Sequence, residues 1–546
     1  MAKIKILTAS SAEKILPYGK IQYVVNHGES FKNERSSFQV VIKSDEDVLA
    51  CKLNVESDLN SLIKVRFVRS VSVEYAYSSL LPEDKYVISK KNGSYPDYLQ
   101  EDVVDKFSLL KGQNKVFFIT VCANDKEKLS VGLHNFKITL LNEEDKKLGE
   151  TQYTLNVLDD ELPKSKLMVG NWMHFDCIAH SHGIEPFAEG YYQYCKKYMQ
   201  NAYDHGINVS FVPLVTPLID TKVGGERTTA QLVKINVENG NYEFDFSLLK
   251  EYIDIAKEIG FSWFELSSLF AQWGGKAAPK IMATVDGKYT QLFGWDTNTT
   301  EGEYPIFLSQ FLPKLMAFLT EEGIKEKCIF QIYDEPVLAN MDSYEKCLSL
   351  VKPYVEGVTL FATLSDVEFY EKGLVEFPVP VTGEYMKFKD KCKNFSLYYC
   401  CGTCKNLSNR FIVHPAVRTR VIGSQIYFVK ARGFLHWGYN FYNNQFSVKK
   451  LKPELINDAE AAFPAGDAFI VYPGKDGPID SIRNEILCDG WNDMRALELA
   501  ETYVGRETVD KLFAKYKFKN LDKYPKNVKK FLQFRQEINK IIKDKK

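Results

Sequence analysis

Residues 307–332, FLSQFLPKLMAFLTEEGIKEKCIFQI, decide the fold class of this chain. Apolar side chains recur at helical spacing over 307–322, and the short apolar run 328–332 is typical of a buried strand. Strand-like runs and helical patterns alternate on both sides of it, and the nine strand candidates are 167–170, 208–212, 263–266, 328–332, 359–363, 379–382, 396–400, 433–439 and 468–472. This repetition predicts a parallel sheet, and the length suits a (β/α)8 TIM-type barrel. Because such a barrel has eight strands, one candidate must lie outside it.

The chain before this region has a different pattern. Short runs such as 64–68 and 115–121 alternate apolar and polar residues between turn residues, which predicts an antiparallel β-sandwich. The segment Leu162-Pro163-Lys164-Ser165 is typical of a boundary. We therefore predict three parts, namely a sandwich over 1–163, a catalytic barrel over 164–500, and a lysine-rich helical extension over 501–546 that packs on the barrel.

Composition and charge argue against several kinds of partner. The 546 residues carry a formal net charge of -1, so no general field attracts nucleic acid or an anionic membrane. No run of about 18 apolar residues appears, which predicts no membrane insertion. The N-terminus lacks the pattern of a signal peptide, and the eleven cysteines have no framework spacing, which favours a reduced cytoplasmic protein. A secreted protein whose leader has been removed is the alternative.

The run 330–336, FQIYDEP, is an apolar strand that ends in two carboxylates and a proline. Neighbouring side chains of a strand face opposite sides, so Asp334 and Glu335 can share a pocket only where the strand ends and the chain turns. Pro336 supports such a turn because it biases Glu335 away from helical geometry. Two close carboxylates repel, so one tends to stay protonated and can act as an acid while the other keeps its charge. The tripeptide alone is also typical of an exposed acidic turn or a helix N-terminus.

Polar and aromatic residues at the ends of other strand candidates favour a carbohydrate site. They are Trp172, His174, Asp176, Trp273, Tyr398, Trp437, Tyr439 and Asn440. Aromatic faces stack on the CH faces of a sugar, and the sugar hydroxyls need hydrogen-bonding partners. Each aromatic residue taken singly is more typical of a core. Their recurrence at strand ends, where barrel enzymes hold their active sites, indicates a sugar-binding pocket.

Three patterns that suggest metal or phosphate binding are set aside. The run 400–404, CCGTC, lacks the second cysteine pair or the two histidines of structural zinc sites, so we interpret it as buried thiols at a strand end. The run 180–182, HSH, beside Asp176, is more typical of polar surface. The glycine-rich run 224–227 lacks the ending of a phosphate loop, and we interpret Arg227 as a loop anchor or a support of the substrate site. We expect no metal and no cofactor.

Seven stretches in order resemble glycoside hydrolase family 123. They are GNWMHFDC (170–177), GGERTT (224–229), QWGGKAAPK (272–280), GWD (294–296), YDEP (333–336), GFLHWGYN (433–440) and GDAFIVYPG (466–474). Together they are far more specific than any one of them, and the likeness covers about 165–500. Members of that family are β-N-acetylgalactosaminidases. The resemblance implies an exo-acting enzyme that releases terminal β-GalNAc from a glycan or glycosphingolipid, and it adds Asp467 to the candidate substrate-binding residues.

The resemblance also implies a substrate-assisted mechanism, which differs from the usual two-carboxylate schemes. The 2-acetamido oxygen of the substrate attacks the anomeric carbon and forms an oxazolinium-like intermediate. Asp334 is expected to orient the acetamido group, and Glu335 to protonate the leaving oxygen and then deprotonate water, with net retention. A hydroxyl, from Tyr398 or Tyr439, is expected to hold the acetamido oxygen.

Two other functions stay open at this stage. One is a retaining hydrolase for another 2-acetamido sugar such as β-GlcNAc, since the two sugars differ at one hydroxyl. The other is a non-catalytic carbohydrate-binding protein on the same scaffold. The intact pair of Asp334 and Glu335 argues against a binder, because binding alone does not need two apposed carboxylates. The sequence does not predict the oligomeric state.

Overall fold

Two different sheet systems make up the chain. The computed structural model describes residues 2–76, 84–272 and 274–545. Mainly antiparallel strands fill the part before about residue 160, and a parallel eight-stranded sheet with helices follows. This confirms the predicted change from a sheet-rich region to a barrel-like region. The candidate Trp273 lies outside the described residues.

The sheet-rich part has its apolar side chains between two five-stranded sheets. Its strands are β1 (Ile4–Ser10), β2 (His27–Phe31), β3 (Ser36–Ser44), β4 (Val48–Glu56), β5 (Ile63–Val73), β6 (Gly93–Gln100), β7 (Phe107–Leu109), β8 (Lys115–Val121), β9 (Gly132–Leu141) and β10 (Lys147–Leu158). The sheet orders are β1-β3-β8-β5-β6 and β2-β10-β9-β4-β7. Phe38 of the first sheet stacks on Tyr153 of the second with ring centres 3.8 Å apart, so the sheets pack face to face.

The barrel-like part alternates strands and helices, as the apolar runs predict. Its elements are β11 (Met168–Asn171), α1 (Phe175–Ser181), α2 (Tyr191–Asp204), β12 (Val209–Val212), β13 (Lys234–Glu238), β14 (Asn241–Asp245), α3 (Ser247–Ile259), β15 (Trp263–Leu266), β16 (Ile281–Val285), β17 (Lys288–Phe293), α4 (Glu303–Glu321), β18 (Cys328–Gln331), α5 (Met341–Val351), β19 (Thr359–Leu364), α6 (Glu368–Glu371), β20 (Phe377–Pro380), α7 (Tyr385–Phe388), β21 (Leu397–Tyr398), α8 (Ala416–Val429) and β22 (Gly433–His436). The strands β13, β14, β16 and β17 form a separate four-stranded sheet, which is inserted in the loops that follow β12 and β15.

Eight short parallel strands form a nearly closed barrel in the order β20-β19-β18-β15-β12-β11-β22-β21. A parallel bridge between Val381 and Tyr398 brings the two edge strands together. The ninth strand candidate, 468–472, lies outside: it overlaps β23 (Val471–Pro473), which pairs with β24 (Pro478–Asp480). The regular (β/α)8 arrangement stays a prediction. In a nearly closed parallel sheet all carboxyl ends meet at one rim, and this rim positions the site.

Helices follow the barrel and tie it to the sheet-rich part. They are α9 (Ile482–Val504), α10 (Arg506–Lys515) and α11 (Val528–Lys543). The predicted boundary between 500 and 501 falls inside α9. Glu485 on α9 accepts hydrogen bonds of 2.6 Å from both Arg35 and Arg66 of the sheet-rich part. Over the described residues, no helix is both long and apolar enough to cross a membrane.

Candidate active site

The two predicted carboxylates lie at the carboxyl rim of the barrel. The strand β18 ends at Gln331, and Asp334 and Glu335 follow where the chain turns. Asp334 is half-buried and Glu335 is exposed. Glu335 has a φ of 46°, in the left-handed region that side-chain-bearing residues rarely adopt. The strained turn lets both acids face one cleft, as the strand-end argument requires.

The hydroxyl of Thr363, on the neighbouring strand β19, organises this turn. It donates to Oδ1 of Asp334 at 2.8 Å. It accepts from the backbone N–H of Glu335 at 3.0 Å and from Nε2 of Gln331 at 2.9 Å. The Gln331 amide also donates to Oδ1 of Asp334 at 3.2 Å. One hydroxyl therefore fixes both the Asp334 carboxylate and the backbone that carries Glu335.

The environment of Asp334 favours its protonated form. Burial, followed by the negative charge of Glu335, raises the pKa of Asp334 to about 7, against the hydrogen bonds from Thr363 and Gln331. In the described part of the chain, no lysine or arginine forms an ion pair with either carboxylate. The pair therefore keeps a proton close to neutral pH, as predicted for two apposed acids.

Tyr398 contacts Glu335 directly. This residue ends the edge strand β21, and its hydroxyl donates to Oε1 of Glu335 at 2.6 Å. Burial and the charge of Glu335 both hold the pKa of the phenol well above its usual value, so the phenol keeps its proton and donates it. The predicted Tyr398 therefore lies in the cleft, beside the acid.

The carboxylates open into a cleft with aromatic walls. Its lining includes Trp172, Asp220, Gln272, Asp334, Glu335, Thr363, Tyr398, Cys400, Cys401, Trp437 and Phe463. The mixture of aromatic faces and polar groups is typical of carbohydrate sites. Three predicted residues, Trp172, Tyr398 and Trp437, share this cleft with the acid pair.

Glu265 is a site residue that the sequence argument missed. It lies on β15, points into the barrel, and its Oε1 accepts from Nε1 of Trp172 at 2.6 Å. Burial, with a contribution from Asp334, raises the pKa of Glu265 to about 8, so the carboxyl is neutral at pH 7. The signal was available: Glu265 is the one charged residue in the buried run Trp263–Leu266. A charged residue inside a buried strand needs a partner or a function.

Asp220 is a second site residue that the sequence argument missed, and no sequence pattern around it indicates a role in the cleft. It lines the cleft with its backbone N–H donating to Oε1 of Gln272 at 2.7 Å, and its carboxylate accepts from the N–H of Phe446 at 2.9 Å. Burial raises the pKa of Asp220 to about 6. It lies in a long loop, where neither the alternation of side chains in a strand nor a turn pattern indicates which residues face the cleft.

His174, Asp176 and Arg227 form a buried network behind the cleft. Arg227 makes a two-pronged ion pair with Asp176, with N–O distances of 2.9 and 2.6 Å. Nε2 of His174 is 2.9 Å from the backbone carbonyl of Trp437. Burial, followed by the charge of Arg227, lowers the pKa of His174 to about 3, so the ring is neutral and donates to that carbonyl. These three predicted residues support Trp437 and lie outside the cleft wall.

Asp467 holds the other end of Trp437. Its Oδ2 accepts from Nε1 of the indole at 3.0 Å, and the carboxyl is fully buried. Two further predicted residues lie away from the cleft. Asn440 is buried and bonds the backbone of His174 in both directions, at 2.8 and 3.1 Å. Tyr439 is buried, and its hydroxyl donates to Oδ1 of Asn201 at 2.7 Å.

Sequence comparison identifies the barrel. The family model described as glycoside hydrolase 123, catalytic domain, matches residues 172–500. The chain belongs to glycoside hydrolase family 123. The family 123 match begins at Trp172, in the cleft, and ends within α9. No curated protein sequence matches the chain.

A solved structure of a family 123 enzyme has a fold similar to that of this chain. A family 123 glycoside hydrolase from Clostridium perfringens, studied for glycolipid glycan hydrolysis, has 14% identity, covers 99% of this chain and 98% of its own, and gives a TM-score of 0.74. Two other glycosidases are far less similar. A family 2 hydrolase from Bacteroides cellulosilyticus has 9% identity, coverage of 74% and 44%, and a TM-score of 0.29. A family 10 xylanase from termite gut has 10% identity, coverage of 70% and 90%, and a TM-score of 0.33.

The described residues contain one group of side chains with the spacing of a metal site. His205, Asp480 and Glu485 bring their ligand atoms within 4.8 Å of one another. Arg66 already donates to both carboxylates at 2.6 Å, which supplies the positive charge that a cation would bring. This group lies between the barrel and the sheet-rich part and not in the cleft of the family 123 domain.

Proposed function

We propose that this family 123 glycoside hydrolase is an exo-acting, retaining β-N-acetylgalactosaminidase that uses substrate-assisted catalysis. The observation that carries the proposal is the pair of Asp334 and Glu335, which shares one aromatic cleft and has no cationic partner among the described residues. Such a pair can divide its labour, with one carboxyl as a proton donor and the other as a charge-bearing partner.

We assign to Asp334 the role of binding and orienting the acetamido group of the substrate. Its Oδ1 is held by Thr363 and Gln331, so the carboxylate cannot rotate away when a substrate enters. The acetamido N–H donates to Asp334, which orients the acetamido oxygen toward the anomeric carbon. As that oxygen attacks and the glycosidic bond breaks, positive charge spreads over the acetamido group. The carboxylate of Asp334 stabilises this charge once the proton that the pair shares has moved from Asp334 to Glu335.

Glu335 is assigned the proton transfers. It protonates the glycosidic oxygen as the bond to the anomeric carbon breaks, and the leaving group departs as an alcohol. It then accepts a proton from a water molecule that attacks the anomeric carbon and opens the oxazolinium ring. Two inversions at one carbon restore the β configuration. The exposed position of Glu335 at the cleft suits a group that exchanges protons with aglycone and water.

We assign to the Tyr398 hydroxyl the role of donating a hydrogen bond to the acetamido oxygen. Of the two predicted candidates, its hydroxyl lies in the cleft, whereas that of Tyr439 is bonded to Asn201. In the free enzyme the Tyr398 hydroxyl donates to Glu335. Because a phenol has a single proton, it must leave Glu335 to donate to the acetamido oxygen, and the released carboxyl is then free to face the leaving group.

The lining of the cleft and the Clostridium perfringens enzyme support the proposed substrate class. The Clostridium perfringens enzyme was studied for hydrolysis of glycolipid glycans, which supports a glycan or glycosphingolipid with terminal β-GalNAc here. The aromatic faces of Trp172 and Trp437 suit one terminal sugar. We also propose a cytoplasmic location, supported by eleven cysteines that are all unpaired.

Hydrolysis of chromogenic β-GalNAc, β-GlcNAc and β-galactoside, compared side by side with Glu335→Gln as a control, tests the proposal. Cleavage of β-GalNAc alone, with turnover lowered in the variant because the attacking water then lacks its general base, is the expected result. Cleavage of β-GlcNAc alone would keep the mechanism and reject the specificity. Cleavage of the β-galactoside at the same rate would reject the acetamido nucleophile, since that substrate has no acetamido group.

A further inference from the structure

Two consecutive thiols form part of the cleft wall. Cys400 and Cys401 follow strand β21 and line the cleft together with Asp334, Glu335 and Trp437. The chain has eleven cysteines, and only four of them are partly exposed: Cys122, Cys400, Cys401 and Cys404. Two of the four partly exposed thiols therefore lie beside the acid pair.

The two cysteines are neighbours in the chain, and the turn that carries them is held from behind. Cys400 and Cys401 are consecutive residues, and both belong to the lining of the same cleft. The backbone carbonyl of Cys400 accepts from Nδ2 of Asn409 and from the N–H of Thr403, each at 3.0 Å. These two hydrogen bonds hold the turn, so the fold keeps both cysteines in the same part of the cleft wall.

The geometry disfavours a direct disulfide between them. Consecutive Cα atoms lie about 3.8 Å apart, whereas disulfides usually join Cα atoms separated by roughly 4.4–6.8 Å. An atom that bridges the two sulfurs avoids this strain, because each sulfur then needs only to reach the bridging atom. Thiolates are soft ligands and prefer soft, thiophilic centres. Trivalent arsenic, which takes two sulfur ligands in exchange for oxygen, meets both requirements.

We propose that Cys400 and Cys401 form a dithiol site that captures trivalent arsenicals and that capture closes the glycan cleft. With an organoarsenic oxide, both thiols lose their protons, two As–S bonds form, and the oxide oxygen leaves as one water molecule. No electron is transferred. The organic group on arsenic then lies between the aromatic walls and excludes a sugar ring. Only the effect on turnover rests on the proposed function, since capture itself does not require hydrolysis.

Phenylarsine oxide and the full-length protein test this site, with Cys404→Ser as the matched control. Cys404 is partly exposed and lies in the same short run, but it does not belong to the described lining of the cleft. Two readouts are taken: intact mass for capture, and hydrolysis of chromogenic β-GalNAc divided by each variant's own untreated rate.

The wild-type chain and Cys404→Ser should each gain one phenylarsenic group with loss of one water, and their relative rates should fall by roughly tenfold or more as the cleft fills. A small dithiol should reverse both changes, whereas a monothiol should not. Cys400→Ser and Cys401→Ser should both resist capture. Melting temperatures equal to that of the wild type would show that the variants are folded.

Capture that persists in both cleft variants would overturn the proposal, because another pair of thiols would then be responsible. Capture without loss of relative rate would overturn the claim that the cleft closes. Absence of capture in the wild type would overturn the site itself. If the protein hydrolyses none of the β-glycosides, the mass readout still decides whether the dithiol site exists, so failure of the proposed function is distinguishable.

Discussion

Two pairs of carboxylates beside the barrel have opposite environments. Asp334 and Glu335 face the cleft without a cation, and burial, followed by their mutual repulsion, raises the pKa of Asp334 to about 7. Asp480 and Glu485 lie between the barrel and the sheet-rich part. Burial opposes ionisation of Glu485, but Arg35 and Arg66 hold its pKa well below the usual value.

The neighbouring charges decide which of these carboxylates can transfer protons. A carboxylate paired with arginine keeps its charge over the whole range of neutral pH and holds structure together. A carboxylate beside another carboxylate keeps a proton that is easily moved. Burial alone does not explain the difference, since Asp480 and Glu485 are both buried and have lowered pKa values, whereas Asp334 is half-buried and has a raised pKa. The arginines beside the second pair explain it.

The largest expected effect is that of Glu335→Gln on turnover. The amide cannot protonate a leaving oxygen, so kcat/KM for a substrate with an alkyl aglycone should fall by about a hundredfold to ten-thousandfold. A nitrophenyl aglycone leaves without protonation and should suffer much less at the glycosylation step. Steady-state kinetics on both aglycones measure this contrast. Equal losses for the two would contradict the acid role.

The next effect is that of Glu485→Gln on stability. This change leaves Arg35 and Arg66 without their shared partner, and breaking a buried ion pair costs about 3–5 kcal/mol of unfolding free energy. Because the folded-state pKa of Glu485 is depressed, the stabilisation is present above the unfolded pKa and is lost as the pH falls through the acid range.

Urea unfolding from pH 7 to pH 3 measures the stability effect of Glu485→Gln. Wild-type stability should fall over this range more steeply than that of the variant, and the exposed Glu335→Gln serves as the matched control at pH 7. A Glu485→Gln variant as stable as the wild type would show that Asp480 and Glu485 do not stabilise the contact between the barrel and the sheet-rich part.

The pH dependence of kcat/KM reports whether Asp334 and Glu335 share a proton. The last proton of the Asp334 and Glu335 pair leaves at about pH 7, so the rate of the wild type should fall as the pH rises through that value. Removing the neighbouring charge in Glu335→Gln lowers the pKa of Asp334. The residual activity of this variant on a nitrophenyl substrate should therefore lose the basic limb. A wild-type profile flat from pH 6 to 9 would contradict a shared proton.

The smallest effect is expected at Glu265, which positions Trp172. Glu265→Gln keeps an acceptor for the indole N–H, so its KM should stay near that of the wild type. Glu265→Leu leaves the buried indole N–H without a partner, which costs about 1–3 kcal/mol, and KM should rise roughly tenfold. Michaelis kinetics on β-GalNAc separate the two variants. Equal KM values for both would show that the hydrogen bond does not position the sugar platform.

Much of the fold could be predicted because apolar residues recur in its helices and strands with the spacing typical of each element. The eight barrel strands lie within a few residues of eight of the nine apolar runs, and the ninth run forms part of the separate β23–β24 pair. Asp334 and Glu335 were found because a strand that ends in two acids and a proline is a local pattern. The physical cause, a turn at a strand end, is itself local.

The rest of the site depends on contacts that no local pattern encodes. Trp437, Tyr439 and Asn440 all follow β22 within four residues, yet of these three only Trp437 faces the cleft. The direction of each side chain beyond a strand end is set by the loop that packs on it. Thr363 and Glu265 could not be predicted for another reason. Each lies within an apolar run, and residues on other strands or loops decide its role.

If the carboxylate pair without a cation performs the proposed chemistry, Asp334→Asn and Asp480→Asn must differ in kcat/KM on chromogenic β-GalNAc, measured per folded molecule. We expect a loss of about a thousandfold for Asp334→Asn, because the charge proposed to lie beside the acetamido group is removed. Asp480→Asn should keep near wild-type turnover and have lower stability. Unchanged turnover in Asp334→Asn, or an equal loss in both variants, would contradict the proposed role of the pair.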